Sequence, residues 1–409
     1  MGLGPSYRKL WTAAAISTVG DGVHLTALAL LAASLTRDPL AVSAVVFAGQ
    51  FPLLLFSLPG GALVDRWDRR TVLWTVDAFR FAVVAALGIA VLAGWASIPL
   101  LFAAGLLLGT GRTLFDTASQ AIVPAIVSRL PERLERANGR LQGAEIVGEG
   151  FVGPPIGSAL FAWIPALPFL ADAASFLGSA ALLLAIRGRF RGGPREGARS
   201  TLRGEVVEGL RWLLGHRLLR ALAVMVGVTN LMAGAWLAIL VLFAREQLHV
   251  PAAGYGLLIS CFAAGGVLGS LAAARLSRRF GTARVMIAEV ALEGATSFAV
   301  GLVSNGWLAG GLLALLGFEV IVWNVVSSSL RQALLPDRLI GRVLSAYRLI
   351  SLGTGPLGAV LGGVLGRTLG LRAPFLLDGL VLVPMALLGL RVVNPGSVRA
   401  ARAAVEEAR

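Results

Sequence analysis

Of 36 basic residues only Lys9 is a lysine, Cys261 is the single cysteine, and three histidines, His24, His216 and His249, are scattered through 409 residues. Each scarcity removes a class of chemistry. A lone thiol forms no internal disulfide and no cysteine metal cluster. The histidines lie too far apart for a short metal-binding motif. A chain whose only lysine is at position 9 has no phosphate-loop lysine, which argues against ATP-driven work by this chain alone. No Gly-x-Ser-x-Gly elbow occurs, and no His or Ser constellation supports an enzyme, so neither a catalytic residue nor a metal ligand nor an organic cofactor is expected. Charge is scarce too, at 14% of residues.

What is present is apolar. With 56% hydrophobic residues and a mean hydropathy of +0.80, the apolar surface exceeds what one soluble core can hide, so lipid is the expected solvent. The formal net charge of +14 suits cytoplasmic loops facing anionic lipid, and no nucleic-acid partner is expected. Runs of roughly 20 to 25 apolar residues, enough to cross about 30 Å of hydrocarbon as helix, occur near 10–34, 40–63, 72–95, 98–122, 139–163, 166–187, 219–243, 253–275, 284–303, 307–331, 343–366 and 373–393. The first is longer than a signal-peptide core and reads as a retained span. The pattern predicts an all-α membrane protein of twelve spans.

Arginine placement sets the orientation. With the N-terminus cytoplasmic, that side collects Arg8, Lys9, Arg66, Arg69, Arg70, the groups 129–140 and 187–220, Arg275, Arg278, Arg279, Arg284, Arg331, Arg338, Arg342, Arg348 and the tail, while the other keeps Arg37, Arg245, Arg367 and Arg372. A multi-pass protein of the cell membrane with both termini inside is expected. A flexible basic linker, Arg187 to Arg195, separates two halves. The expected division is a six-helix half at 1–187, a linker at 188–218, a second half at 219–393 and a tail at 394–409. Leu202, Val206, Val207, Leu210, Leu213 and Leu214 recur at helical spacing and suit an amphipathic interfacial helix; an ordinary soluble connector is the alternative.

The halves repeat. Gly60 followed by Arg66, Arg69 and Arg70 recurs as Gly269 followed by Arg275, Arg278 and Arg279, and Pro168–Asp172 recurs as Pro374–Asp378. Pro124 corresponds to Pro336, and Gly153–Pro154 to Gly355–Pro356. Parallel repeats of this kind place a substrate site between the halves near the bilayer midplane.

The stretch from Gly61 through Asp65, Arg66, Asp68, Arg69 and Arg70 resembles the Gly-x-Leu-Ala-Asp-Arg-x-Gly-Arg-Arg signature of the major facilitator superfamily, departing at Asp68; the second copy has Ala274 in place of the aspartate. Its Trp-Asp-Arg-Arg ending, the Pro124–Asn138 region, Glu208–Leu210 and Gly355–Gly358 resemble a bacterial efflux branch that includes the enterobactin exporter and macrolide efflux proteins. The resemblance implies two pseudo-symmetric six-helix bundles, a monomer, and a cytoplasmic latch built by Gly61, Asp65, Arg66, Arg69, Arg70, Arg275, Arg278 and Arg279; simple positive-inside anchoring is the alternative. Gly153, Pro154 and Gly157 in helix 5 resemble an antiporter motif, with a packing role as the alternative.

Charges inside spans are costly and point to function. Asp21 and His24, three residues apart, and Arg112 and Asp116, four apart, each share a helix face and suit internal ion pairs. Glu149, Asn230, Glu319 and Asn324 complete the set. Since helices 1, 4, 7 and 10 line the cavity in the resembled family, Asp21, Arg112, Asp116, Asn230 and Glu319 are expected to face substrate. Desolvation favours the neutral carboxyl and an arginine the ionised one, the balance proton coupling needs. Glu319 is the first candidate carrier. Asp77, Arg80, Glu145, Glu289 and Glu293 read as shallow, either interfacial or paired with the loop arginines, and Asp172 and Asp378 as structural. The expectation is a proton-coupled exporter of an amphipathic molecule, drug-like, macrolide-like or siderophore-like. An importer or lipid carrier, and a non-transporting scaffold or sensor, stay open as alternatives.

Overall fold

Backbone amides in hydrocarbon find no water, so a chain this apolar satisfies them within helices. The computed structural model describes residues 3–56, 67–127, 130–188, 190, 202–335 and 340–407, and every regular element among them is helical. In order these are α1 (Pro5–Leu35), α2 (Pro39–Phe56), α3 (Arg69–Leu92), α4 (Ile98–Val127), α5 (Pro131–Glu145), a π-helical segment (Ile146–Val152), α6 (Gly153–Trp163) and α7 (Leu167–Leu184). There follow α8 (Leu202–Gly215), α9 (Arg217–Glu246), α10 (Ala252–Phe280), α11 (Thr282–Leu302), α12 (Gly306–Leu334), α13 (Ile340–Leu369), α14 (Ala373–Gly389) and α15 (Pro395–Glu407).

Ten of the described helices are long and apolar enough to cross a bilayer, against twelve expected spans. The difference has two sources. α14 is apolar but only 17 residues long, and the fifth run is divided by the π-helical segment. Pro154 has no N–H and its ring crowds the carbonyl of residue 150. The distortion is therefore a widening of the turn before Pro154, from Ile146 to Val152, rather than a kink at the proline itself. Such widenings recur at functional positions, and Glu149 lies inside this one.

The chain divides into two compact units, Met1–Glu196 with Val250–Ser260, and Gly197–His249 with Cys261–Arg409. In the first, α1 packs on α6 and α7, α2 on α4, and α3 on both α4 and α7. Backbones meet where side chains vanish. A Cβ on Gly153 would lie 2.6 Å from Gly22, one on Gly22 would lie 2.8 Å from the Glu149 carbonyl, and one on Gly157 would overlap Val23. These glycines hold α1 against the π segment and α6, which is a packing role. Tyr7 and Trp11 of α1 donate to the Ala137 and Arg140 carbonyls at 2.8 and 3.1 Å, fixing α5.

In the second unit α9 packs on α13, and α11 on α12 and α14. The α11 and α14 pair runs antiparallel, since Gly301 meets Phe375 and Leu376 while Gly294 meets Leu382. Leu213 of α8 is fully buried in this unit's core beside Leu219, Leu222 and Tyr347, whereas Leu210 and Leu214 stay exposed. The tail also folds. Asn394 accepts from the Ser397 amide at 2.9 Å at the start of α15, with Pro395 in its first turn, a cap-and-proline start that the sequence spells out.

Candidate functional site

Arg112 is the fifteenth of 30 residues in α4, as deep as that helix allows. Its guanidinium forks onto Glu149 of the π segment, Nη1 donating to Oε1 at 2.7 Å and Nη2 to Oε2 at 2.6 Å. Glu145 of α5 lies 3.5 Å away and Asp116, one turn along α4, 3.8 Å. The pairing expected within α4 is thus the weaker contact, and the strong partner comes from a neighbouring element. Side-chain exposure is 31% for Arg112, 27% for Glu149, 49% for Asp116 and 52% for Glu145. Half-exposed charge at mid-helix is not tolerated against lipid and belongs on a water-filled path. Three acids against one cation make that surface acidic.

A second cluster lies wholly inside the first unit. Arg80 of α3 donates to Asp21 of α1, sits 3.9 Å from Asp77, and covers the Phe176 ring at 4.1 Å. Ser179 of α7 donates to Asp77 at 2.5 Å. His24 Nδ1 lies 2.7 Å from Asp172 of α7 and 3.8 Å from Asp21, and Ser175 donates to Asp172 at 2.9 Å. All five ionisable groups are at most 5% exposed.

Two expectations are corrected here. Asp77 and Arg80 are not interfacial: α3 begins at Arg69, so Arg80 is the twelfth of its 24 residues, three turns in. Asp21 does not face a cavity either, because Arg80 encloses it. Asp21, His24 and Asp172 bring ligand atoms within 4.8 Å of one another and could hold a metal ion; the His24–Asp172 and Arg80–Asp21 pairs already engage those atoms.

In the second unit Glu319 is fully buried and accepts from Thr296 of α11 at 2.9 Å. It is enclosed by α11, contrary to the expectation that it faces a cavity. Glu289 and Glu293 are buried, and Glu293, the twelfth of 21 residues in α11, is at mid-helix rather than shallow. Asn230 is half-buried and donates to the Val226 carbonyl one turn back at 2.8 Å. Asn324 is exposed on α12.

Of the expected latch, Gly61, Asp65 and Arg66 lie outside the described residues. Arg69 donates to the Ala121 carbonyl at 2.9 Å, and Arg70 to Leu184 and Leu183 at 2.5 and 3.3 Å. Arg70 thus serves carbonyls at the end of α7, a favourable place for cations, whereas the Ala121 carbonyl lies six residues before the end of α4. Asp68, where the resembled signature has glycine, caps α3 by accepting from Thr71 N at 3.1 Å, and also takes the Phe190 amide at 2.6 Å. Arg275, Arg278 and Arg279 are exposed.

Residues 4–407 match the family described as Transmembrane secretion effector. The multidrug efflux pump Tap of Mycolicibacterium fortuitum is 28% identical over 93% of this chain and 93% of its own length. The enterobactin exporter EntS of Salmonella typhimurium is 26% identical over 95% and 92%. Among solved structures, the nucleoside transporter NupG aligns over 95% of this chain and 100% of its own with a TM-score of 0.77 at 12% identity. A bacterial homologue of the iron transporter ferroportin in an inward-facing state gives 0.75 at 17%, over 95% and 98%. At those identities the likeness is one of fold. The family match runs almost the full length of a chain whose described residues form only helices, ten of them apolar spans, and the chain belongs to the transmembrane secretion effector family of major facilitator transporters, a multi-pass membrane carrier and not an enzyme.

Proposed function

We propose that this carrier exports amphipathic small molecules, neutral or cationic, in exchange for protons, by alternating access of two six-helix halves with both termini cytoplasmic. The observation that carries the reading is the half-exposed cluster of Arg112 and Asp116 in the apolar span α4 with Glu145 and Glu149, where α5 runs into the π-helical segment. A carrier needs polar groups on a wet path at the depth where substrate is held. The acidic excess of that surface favours cations over anions, and the carboxylates can take up a proton when a substrate leaves. Outward direction is drawn from the relatives, a multidrug efflux pump and an enterobactin exporter. The exposed arginines at 275, 278 and 279 suit the cytoplasmic face.

The test is accumulation in cells expressing the chain or Asp116→Asn, loaded with cationic dyes, macrolides, phenicols or catecholate siderophores. Cells with the parent protein are expected to retain several-fold less of at least one compound, and dissipating the proton gradient is expected to raise retention to that of empty cells. Asp116→Asn is expected to weaken export of cationic compounds more than of neutral ones. Uptake that grows with external substrate in expressing cells would instead mark an importer.

A further inference from the structure

The two units treat their buried acids differently. Within the second, Glu289 and Glu293 of α11, Glu319 of α12 and Asp378 of α14 are exposed by 7%, 3%, 0% and 0%. Glu293 lies within electrostatic reach of the other three, and Glu319 within reach of Glu289 and Asp378. Among the described residues one short hydroxyl bond serves the set, from Thr296 to Glu319 Oε1 at 2.9 Å. Ser297 is shared between Asp378 and the Phe375 carbonyl, 3.4 Å away. Oε2 of Glu289, Oε2 of Glu319 and both oxygens of Asp378 accept no well-formed hydrogen bond. Buried carboxylate oxygens seldom stand so bare.

The internal repeat shows what is missing. Gly88 packs on Phe169 and Leu170, and Gly301 on Phe375 and Leu376, so equivalent glycines stand 213 residues apart. The same offset carries Arg80 onto Glu293. Where the first unit puts the guanidinium that compensates Asp21 and Asp77, the second puts another acid. Among the described residues the surrounding helices supply no substitute. Arg284 starts α11, Arg331 ends α12 and lies by the Tyr347 ring. Arg372 precedes α14 and is spent on the Gly301 and Leu302 carbonyls, Ser304 and Gln247. Arg399 of α15 is exposed. On α9, Arg217, Arg220, Arg245 and Glu246 sit in the terminal turns; on α10, Arg275, Arg278 and Arg279 are exposed, as is Arg348 of α13, and Arg367 is in the last turn. Four carboxylates in low dielectric, with no cation among the described residues beside them, cannot all be charged together.

We propose that Glu289, Glu293, Glu319 and Asp378 form a proton-binding site that holds fewer protons than it has carboxyls. The ligand is the hydron. It needs no coordination shell, and the complete burial of Glu319 and Asp378 leaves none. Binding is COO⁻ plus H⁺ giving COOH, and a neighbouring carboxylate takes the proton in turn. Because α14 runs antiparallel to α11, Asp378 stands level with Ser297, so the acids climb two turns of α11 from Glu289, about 12 Å. They form steps for a proton between the Thr282 end of α11 and the middle of the unit. This deepens the proton-coupled reading above and rests on it only for its use in transport.

The test is the protonated-carboxyl stretching band in infrared difference spectra of the purified full chain, recorded between acid and alkaline pH without substrate. Glu293→Gln and Glu319→Gln are each expected to remove a titrating component, and Thr296→Val, which leaves every carboxyl in place, to move one. Glu293→Arg, which installs the first unit's cation, is expected to abolish the protonated band of the remaining three. A band indifferent to all four substitutions, or one that does not change with pH, would overturn the site. So would loss of the band on adding sodium at constant pH, which would assign a metal cation instead. If the component titrates as expected but a pH gradient drives no export, the site stands and the proton-coupled reading fails.

Discussion

Arg112→Ala is expected to reduce export by about fivefold to 100-fold while the protein still inserts and folds. Among the described residues the guanidinium is the one cation paired with Glu149, Glu145 and Asp116, and its two bonds to Glu149 are charge-assisted and bidentate. A fully exposed pair contributes about 0 to 1 kcal/mol, and breaking a fully buried one costs about 3 to 5 kcal/mol. At roughly one-third exposure the loss falls between, about 1 to 3 kcal/mol, and each 1.4 kcal/mol is about a factor of ten. Arg112→Lys keeps the charge but not the fork, so it is expected to recover only part of the rate. The swap Arg112→Glu with Glu149→Arg restores the pair in reverse and is expected to exceed either single variant. Initial efflux rates per inserted molecule check all three. Parent-like rates in Arg112→Ala would remove this cluster from the transport path.

The largest stability effect is expected at Arg80. Arg80→Met keeps the volume and the stacking on Phe176 but strands Asp21 and Asp77 in a dry interior, where an uncompensated charge costs on the order of 3 to 5 kcal/mol. The variant is expected to unfold at markedly lower temperature in detergent. Asp21→Asn on its own leaves Arg80 still near Asp77 and is expected to cost less. Combining Arg80→Met with Asp21→Asn removes both ends of the short pair, so the double variant is expected to be more stable than Arg80→Met alone. A double variant no better than the single one would show that the pair does not stabilise the first unit.

The parts of this architecture legible in the sequence are those written along one chain. Apolar run lengths marked the spans, and the repeated glycine and arginine motifs marked the duplication. Helix depth was less legible. Counting α3 from the first apolar residue, Val72, put Arg80 two turns in; Asp68 caps the helix one turn earlier and moves Arg80 to its centre.

Contacts between helices were the least legible of all. A span apolar on every side carries no signal for which way Glu319 points, and Thr296 takes it toward α11. Spacing within α4 suggested Asp116 for Arg112, yet the tighter partner, Glu149, becomes reachable through a widened turn that Pro154 announces only indirectly. The matching aspartates Asp172 and Asp378 were visible as a pair, but not that one faces a histidine and the other lies within reach of Glu293 and Glu319.

The central claim, export in exchange for protons, is tested most directly in everted membrane vesicles with an acidic lumen and a pH-sensitive dye, adding the compound panel one at a time. At least one compound is expected to raise lumenal pH as it enters, with no such response in vesicles carrying Glu319→Gln. Compound accumulation in the lumen with no accompanying proton movement, in vesicles whose carrier is folded and inserted, would contradict the account.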